Sequence, residues 1–154
     1  MKQVITAVGY EDDIIQVKLM NVTKHPKYIA KIFETLGNYN VNIDMISQVM
    51  LEGSVLIEFT VNESEQNKLN DAIAKIKEDN ETMGIYQNKT ISKVFVYGKG
   101  METESGVAAG VFKVLGDNHI TFYQVTTSTT DISFVIDKEN RELAVEKITA
   151  AYNL

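Results

Sequence analysis

Apolar residues recur along this chain at two periods, and the same succession of periods occurs twice. Ile14–Val22 (IIQVKLMNV) and Ile91–Gly98 (ISKVFVYG) are rich in β-branched and other apolar residues, the pattern of a buried strand. Each is followed by a polar turn and then by helical spacing. Ile29, Ile32, Phe33 and Leu36 stand at i, i+3, i+4 and i+7, as do Ala108, Val111, Phe112 and Leu115, so each helix offers one face to a core. Gly37 and Gly116 are predicted to stop these helices. Two strand-like runs come next: Val41–Leu51 and Val55–Val61 in the first copy, Ile120–Thr127 and Ile132–Ile136 in the second. Glu52-Gly53 and Thr129-Thr130-Asp131 are the predicted turns. A closing helix places Leu69, Ala72, Ile73 and Ile76 on one face, and its counterpart does so with Leu143, Ala144, Ile148 and Ala151. Both copies read as βαββα.

The repeat is visible residue by residue. Ala30, Phe33, Leu36, Gly37 and Val41 fall on Ala109, Phe112, Leu115, Gly116 and Ile120 at a single offset. The first copy continues into a strand-like run around Met83–Gln87, which completes the ferredoxin-like order βαββαβ. The second ends at Leu154 without one, while Val4–Tyr10 is a strand-like run with no partner in the first copy. Pairing Val4–Tyr10 with the second copy repairs both. The expected fold class is therefore α+β, two ferredoxin-like modules with the first (13–90) inserted in the second (1–12 with 91–154).

Composition narrows what such modules could do. With 154 residues, 44% of them hydrophobic, the chain can bury one ordinary core or two small ones of roughly 70 residues each. A net charge of −6 and a single arginine, Arg141, leave no basic stripe for a phosphate backbone, which argues against nucleic acid. The chain has no cysteine, removing disulfides and thiolate chemistry and fitting a reducing compartment. The N-terminal MKQVITAVGY lacks the apolar core of a secretion signal, and no stretch reaches the roughly 18 apolar residues of a membrane span, so a cytoplasmic protein is expected.

The runs HPKYIAKIF…NYNVNIDMISQ and GKGMETESGVAAGVF…ISFVID resemble the two regulatory ACT modules at the C-terminus of aspartate kinases, and the resemblance extends from ITAVGYEDD to AAYNL. It implies a tandem pair of amino-acid-binding modules that lets an end product control the enzyme, with lysine, threonine or diaminopimelate as effector. It also implies a partner, the kinase catalytic domain or subunit, and a homodimer, because effectors of this family sit where modules meet. The kinase site itself lies in an N-terminal domain that this sequence does not contain, so no catalytic residue and no cofactor is expected here. The chain is either an excised fragment or a separately translated regulatory subunit. A free-standing ACT–ACT sensor serving another enzyme is the alternative.

By the resemblance, the effector-binding residues are Lys24, His25, Pro26, Lys27, Tyr28 and Ile29 with Asp44 and Gln48 from the first module, and Asn118, His119, Ile120 and Thr121 from the second. Met101, Ser105, Gly106 and Val107 are secondary effector-loop candidates. The residues depart from the family in places. A common D-x-P-G step reads Lys24-His25-Pro26-Lys27, a common Thr-Thr-Asp reads Ser54-Val55-Leu56, R-S-H-P-G becomes Glu102-Thr103-Glu104-Ser105-Gly106, and a frequent effector asparagine becomes Thr121. Physical chemistry alone supplies one element of the site. Helices starting near Pro26 and Ser105 present amides and a positive dipole end to a ligand carboxylate, with Pro26 in the first turn and Ser105 as N-cap.

Other chemistries fit less well. His25 and His119 have no partner at metal-ligand spacing, so no metal site is expected. Gly98-Lys99-Gly100 lacks the rest of a phosphate-binding motif and reads as a flexible loop between strand and helix. Glu102 and Glu104 precede a helix, where carboxylates favour its positive end. The seven tyrosines and six phenylalanines do not alternate with basic partners as a surface for stacked bases would, and read as packing residues. A small phosphatase on this scaffold would need an arginine in a phosphate loop, whereas Arg141 lies in the closing helix region.

Overall fold

Both copies of the βαββα succession form in the computed structural model, which describes residues 4–154. In chain order the elements are β1 (Ala7–Glu11), β2 (Ile14–Val22), α1 (Pro26–Asn38), β3 (Ile43–Met50), β4 (Val55–Asn62), α2 (Gln66–Glu78), β5 (Gly84–Asn88), β6 (Ile91–Tyr97), α3 (Val107–Asp117), β7 (Phe122–Thr127), β8 (Asp131–Asp137) and α4 (Arg141–Tyr152). They make two four-stranded antiparallel sheets, ordered β3-β4-β2-β5 and β1-β6-β8-β7. The first belongs to a unit spanning Asp13–Lys89, the second to a unit made of the N-terminal segment up to Asp12 and Thr90–Leu154.

Period-2 alternation explains the core of each unit. Ile15, Val17 and Leu19 of β2 join Val55, Ile57, Phe59 and Val61 of β4 under Ile32 and Leu36 of α1 and Leu69, Ala72 and Ile76 of α2. In the other unit Val94 and Val96 of β6 and Ile132, Phe134 and Ile136 of β8 lie under Val111 and Leu115 of α3 and Ala144 and Ile148 of α4.

The helix stops differ from expectation. Gly37 and Gly116 lie inside the last turns of α1 and α3, and the residues that turn left-handed are Asn40 (φ 59°) and His119 (φ 55°). After α1, the Asn40 amide donates to Gly37 O at 2.9 Å and the Val41 amide to Leu36 O at 3.0 Å. After α3, His119 and Ile120 repeat these bonds to Gly116 O and Leu115 O at 3.1 and 2.9 Å. Val41 and Ile120 are buried with Leu36 and Leu115, completing the same Schellman stop twice. Asparagine and histidine reach this backbone region more readily than most side chains, which is why a polar residue three positions past the glycine does the stopping.

The N-terminal strand also starts later than expected, at Ala7 rather than Val4. It pairs antiparallel with β6 from Ala7↔Tyr97 to Glu11↔Lys93, and the Thr6 amide adds a bond to Tyr97 O at 2.8 Å. Val4 and Ile5 have another task. Ile5 is fully buried in the cluster with Val94 and Val96. The Val4 backbone crosses Gly98 and Gly100 so closely that a Cβ on Gly98 would lie 1.7 Å from Val4 O, and one on Gly100 3.3 Å from Val4 Cα. The Gly98-Lys99-Gly100 step is thus the crossing point for the chain's own N-terminal segment.

Beyond β1 the chain is fastened by Asp12. Arg141 Nε and Nη2 donate to Asp12 Oδ1 and Oδ2, each at 3.1 Å, and the fully buried Ser92 donates from Oγ to Oδ1 at 2.7 Å. The Arg141 guanidinium also lies 4.0 Å over the Tyr10 ring. Strand β1, strand β6 and helix α4 therefore meet at one carboxylate.

Candidate functional site

In the Asp13–Lys89 unit, Val22, Val55 and Met50 stand side by side across β2, β4 and β3, so the end of β2 and the β3–β4 turn lie at one end of the sheet. The β2–α1 loop leaves from that end. Its Lys24 ammonium donates to Glu52 O in the turn, which is itself closed by the Leu51 amide on Ser54 O at 2.8 Å. Lys24 is thus bound to the hairpin tip, where the sequence alone had it facing a ligand.

Helix α1 begins with Pro26 at its first position, where the missing N–H costs nothing. His25 is the N-cap: its Nδ1 accepts from the Lys27 amide at 3.1 Å, and its carbonyl accepts from the Tyr28 and Ile29 amides at 3.0 and 3.3 Å. The Tyr28 ring meets the imidazole edge-on, with centroids 6.0 Å apart. The amides expected to hold a carboxylate are therefore already satisfied by His25, and the imidazole stands in the place of an anionic acceptor.

Gln48 pairs with Ile57 on β4, two residues from the Val55 row, which brings it to roughly 7 Å from the loop end of the sheet along the strand. Asp44 is a different matter. It pairs with Thr60, five residues along β4 and roughly 17 Å from that end. Its carbonyl accepts from Thr60 Oγ1 at 3.3 Å. Between the two lies a bulge in which Met45 adopts φ 51°, and this irregularity separates Asp44 from Gln48.

A hollow of about 420 Å³ opens on the other side of the β2–α1 loop, lined among others by Asn21, Thr23, Tyr28, Asp79, Glu81 and Thr82. Asn21 (φ 61°) ties its two walls together, donating from Nδ2 to Thr82 O at 3.2 Å. Only Tyr28 of this lining was expected from sequence; the polar run Asp79-Asn80-Glu81-Thr82 after α2 is the signal that marks the opposite wall.

The remaining candidates belong to the other unit. Asn118 to Thr121 form the turn between α3 and β7, where Asn118 Nδ2 donates to Val114 O at 2.8 Å, Ile120 is buried and Thr121 is exposed. Met101 lies in a short 3₁₀ turn after β6. Helix α3 starts at Val107 behind a left-handed Gly106 (φ 78°), so the N-cap position falls on Gly106 and not on Ser105. Among the described residues no group of three or more His, Asp or Glu is arranged to hold a metal ion. None of the described helices is long and apolar enough to cross a membrane.

Comparison with known proteins agrees with this architecture. A family model described as an ACT domain matches residues 94–152. Aspartokinase 2 of Bacillus subtilis (strain 168) is 29% identical over 151 residues, covering 98% of this chain and 37% of the relative. An aspartokinase of Helicobacter pylori (strain J99) is 30% identical over 152 residues, with the same two coverages, so the chain spans a little over a third of these relatives' length. Among solved structures, one described as aspartokinase alpha and beta subunits superposes with a TM-score of 0.87 at 26% identity, covering 97% of this chain and 99% of that one. The ligand-free regulatory subunit of aspartate kinase from Thermus thermophilus superposes with a TM-score of 0.89 at 24% identity, covering 98% and 99%, a likeness of fold.

Proposed function

Because the chain belongs to the ACT-containing regulatory regions of aspartokinases, we propose that it binds a small amino acid as allosteric effector of an ATP-dependent aspartate kinase. Phosphoryl transfer belongs to the catalytic domain or subunit with which it associates. The observation that carries the reading is the assembly at the start of α1: a helix start capped by His25, Tyr28 beside it, and Lys24 joining loop to hairpin tip. A ligand carboxylate there competes with the His25 imidazole for the Lys27 amide, and the exposed Gln48 is, along the strand, the polar residue of β3 nearest the loop end and so the one to share the ligand. For Asn118, His119, Ile120 and Thr121 as acceptors of the ligand ammonium, the support is the resemblance.

Lys24 sets the expected selectivity. A second cation brought up to its ammonium is repelled, which disfavours lysine and leaves threonine or diaminopimelate as effector. Titration calorimetry on the purified chain should show lysine binding more weakly than threonine or diaminopimelate, and Lys24→Asp should improve lysine binding by roughly tenfold, the weight of one favourable charge contact. Tight lysine binding to the native chain, weakened by Lys24→Asp, would overturn the assignment.

The β3 edge supports a homodimer. Ile46, Val49 and Met50 of β3 and Leu51 just after it are each 46–57% exposed, and among the described residues the strand pairs on one side only. An apolar, half-paired edge of this kind is stabilised by a second sheet edge. Light scattering at tens of micromolar should give a dimeric mass or larger; a monomeric mass with and without amino acids would reject it.

A further inference from the structure

We propose that the N-terminal segment Val4–Thr6 is a latch on the β6–α3 loop, so that this loop opens only when the segment lifts. The loop hangs from two carbonyls. Met101 donates its amide to Gly98 O at 3.1 Å, and Thr103 and Glu104 donate theirs to Gly100 O, each at 3.2 Å. Gly98 and Gly100 are the two residues over which the Val4 backbone passes, the first at a distance no side chain could share. The segment is held down from both sides, by Ile5 in the core and by the Thr6 amide on Tyr97 O. Gly98 is fixed beneath it, its amide donating to Thr130 O at 2.8 Å. Moving either glycine outward therefore displaces Val4, and freeing Val4 unseats the two glycines whose carbonyls order the loop.

The coupling is reciprocal by thermodynamic necessity. Anything that orders the β6–α3 loop holds the N-terminal segment down, and tension on that segment releases the loop. This stands on the geometry of one unit and holds whether or not Met101, Ser105, Gly106 and Val107 receive an effector.

Amide hydrogen exchange on the full chain tests it, with the Met101, Thr103 and Glu104 amides as reporters. Ile5→Ala is compared with Ile148→Ala, which empties a fully buried isoleucine of α4 from the same cluster and leaves the sequence of the segment unchanged. The latch requires the three reporters to exchange roughly tenfold faster in Ile5→Ala than in Ile148→Ala, measured against the β8 amides of the same sample. Equal rates in the two variants mean that the loop opens only with the whole unit, and the latch is then wrong. Should Ile5→Ala not fold, Val4→Gly frees the half-buried end of the segment; unchanged reporter rates in that variant reject the latch as well.

Discussion

Deletion of residues 1–10 is expected to abolish cooperative unfolding of the Thr90–Leu154 unit. The truncation removes the partner of β6 over the register Ala7↔Tyr97 to Tyr10↔Val94 and leaves β6 as a raw edge. It also takes away Ile5, fully buried, and Val8, packed against the same cluster. Each apolar side chain lost from a core costs about 2–4 kcal/mol once the cavity is included. With the strand hydrogen bonds added, the total exceeds about 5 kcal/mol, comparable with the whole stability of a small domain. The Asp13–Lys89 unit takes no strand from the deleted segment and keeps its own core. Denaturant unfolding followed by circular dichroism, with amide exchange to assign the transitions, should show the β6 and β8 amides unprotected while those of β2 and β4 stay protected. The same midpoint and cooperativity as the full chain would mean that β1 contributes nothing to its sheet.

Much of this was legible in the sequence because it rests on periodicity. The repeat offset aligned Leu36 with Leu115 and Val41 with Ile120, and these four residues occupy matching core and stop positions in the two units. The unpaired run before the first copy and the missing strand of the second were complementary deficits, and hydrogen bonding completes the β6 sheet with β1. What escaped is what depends on contacts distant in sequence. Nothing near Gly98 announces that Val4 will cross it, so a packing glycine read as a flexible loop. Helix stops were assigned to glycines because glycine reaches positive φ without penalty, yet Asn40 and His119 take that conformation. Asp44 and Gln48 were assigned to one site by the resemblance, but the bulge at Met45 and the length of the ladder between them put Asp44 near the far end of the sheet. At the start of α1 the sequence located the helix and its proline; it could not show that His25 would fill the amides itself or that Lys24 would reach across to Glu52.

Replacing Asp12 with asparagine is expected to destabilise the protein by about 1–2 kcal/mol at neutral pH, and the difference from the native chain should vanish in acid. Partial burial pushes the Asp12 carboxyl up, but the hydrogen bonds from Ser92 and Arg141, aided by the charges of Arg141 and Lys138, outweigh it and hold the group below its usual range. In the unfolded chain the same carboxyl titrates near about 3.9. A folded-state value below the unfolded one means that the native state binds the proton less readily, so the ion pair contributes fully above the unfolded value. That contribution is lost as pH falls through the folded value. Asparagine keeps the shape and one oxygen to accept from Ser92 and Arg141 Nε, but removes the charge and puts a donor where Arg141 Nη2 had an acceptor, as protonation of the carboxyl does in acid. Urea unfolding at pH 7, 5 and 3 should therefore give two midpoints that are separate at pH 7 and 5 and draw together at the lowest pH. Because Asp12 ends the N-terminal segment and Arg141 begins α4, the loss should appear in the unfolding of the unit that contains both. A gap that persists undiminished in acid, or no gap at neutral pH, would mean that the shape of the clasp and not its charge joins β1 to α4.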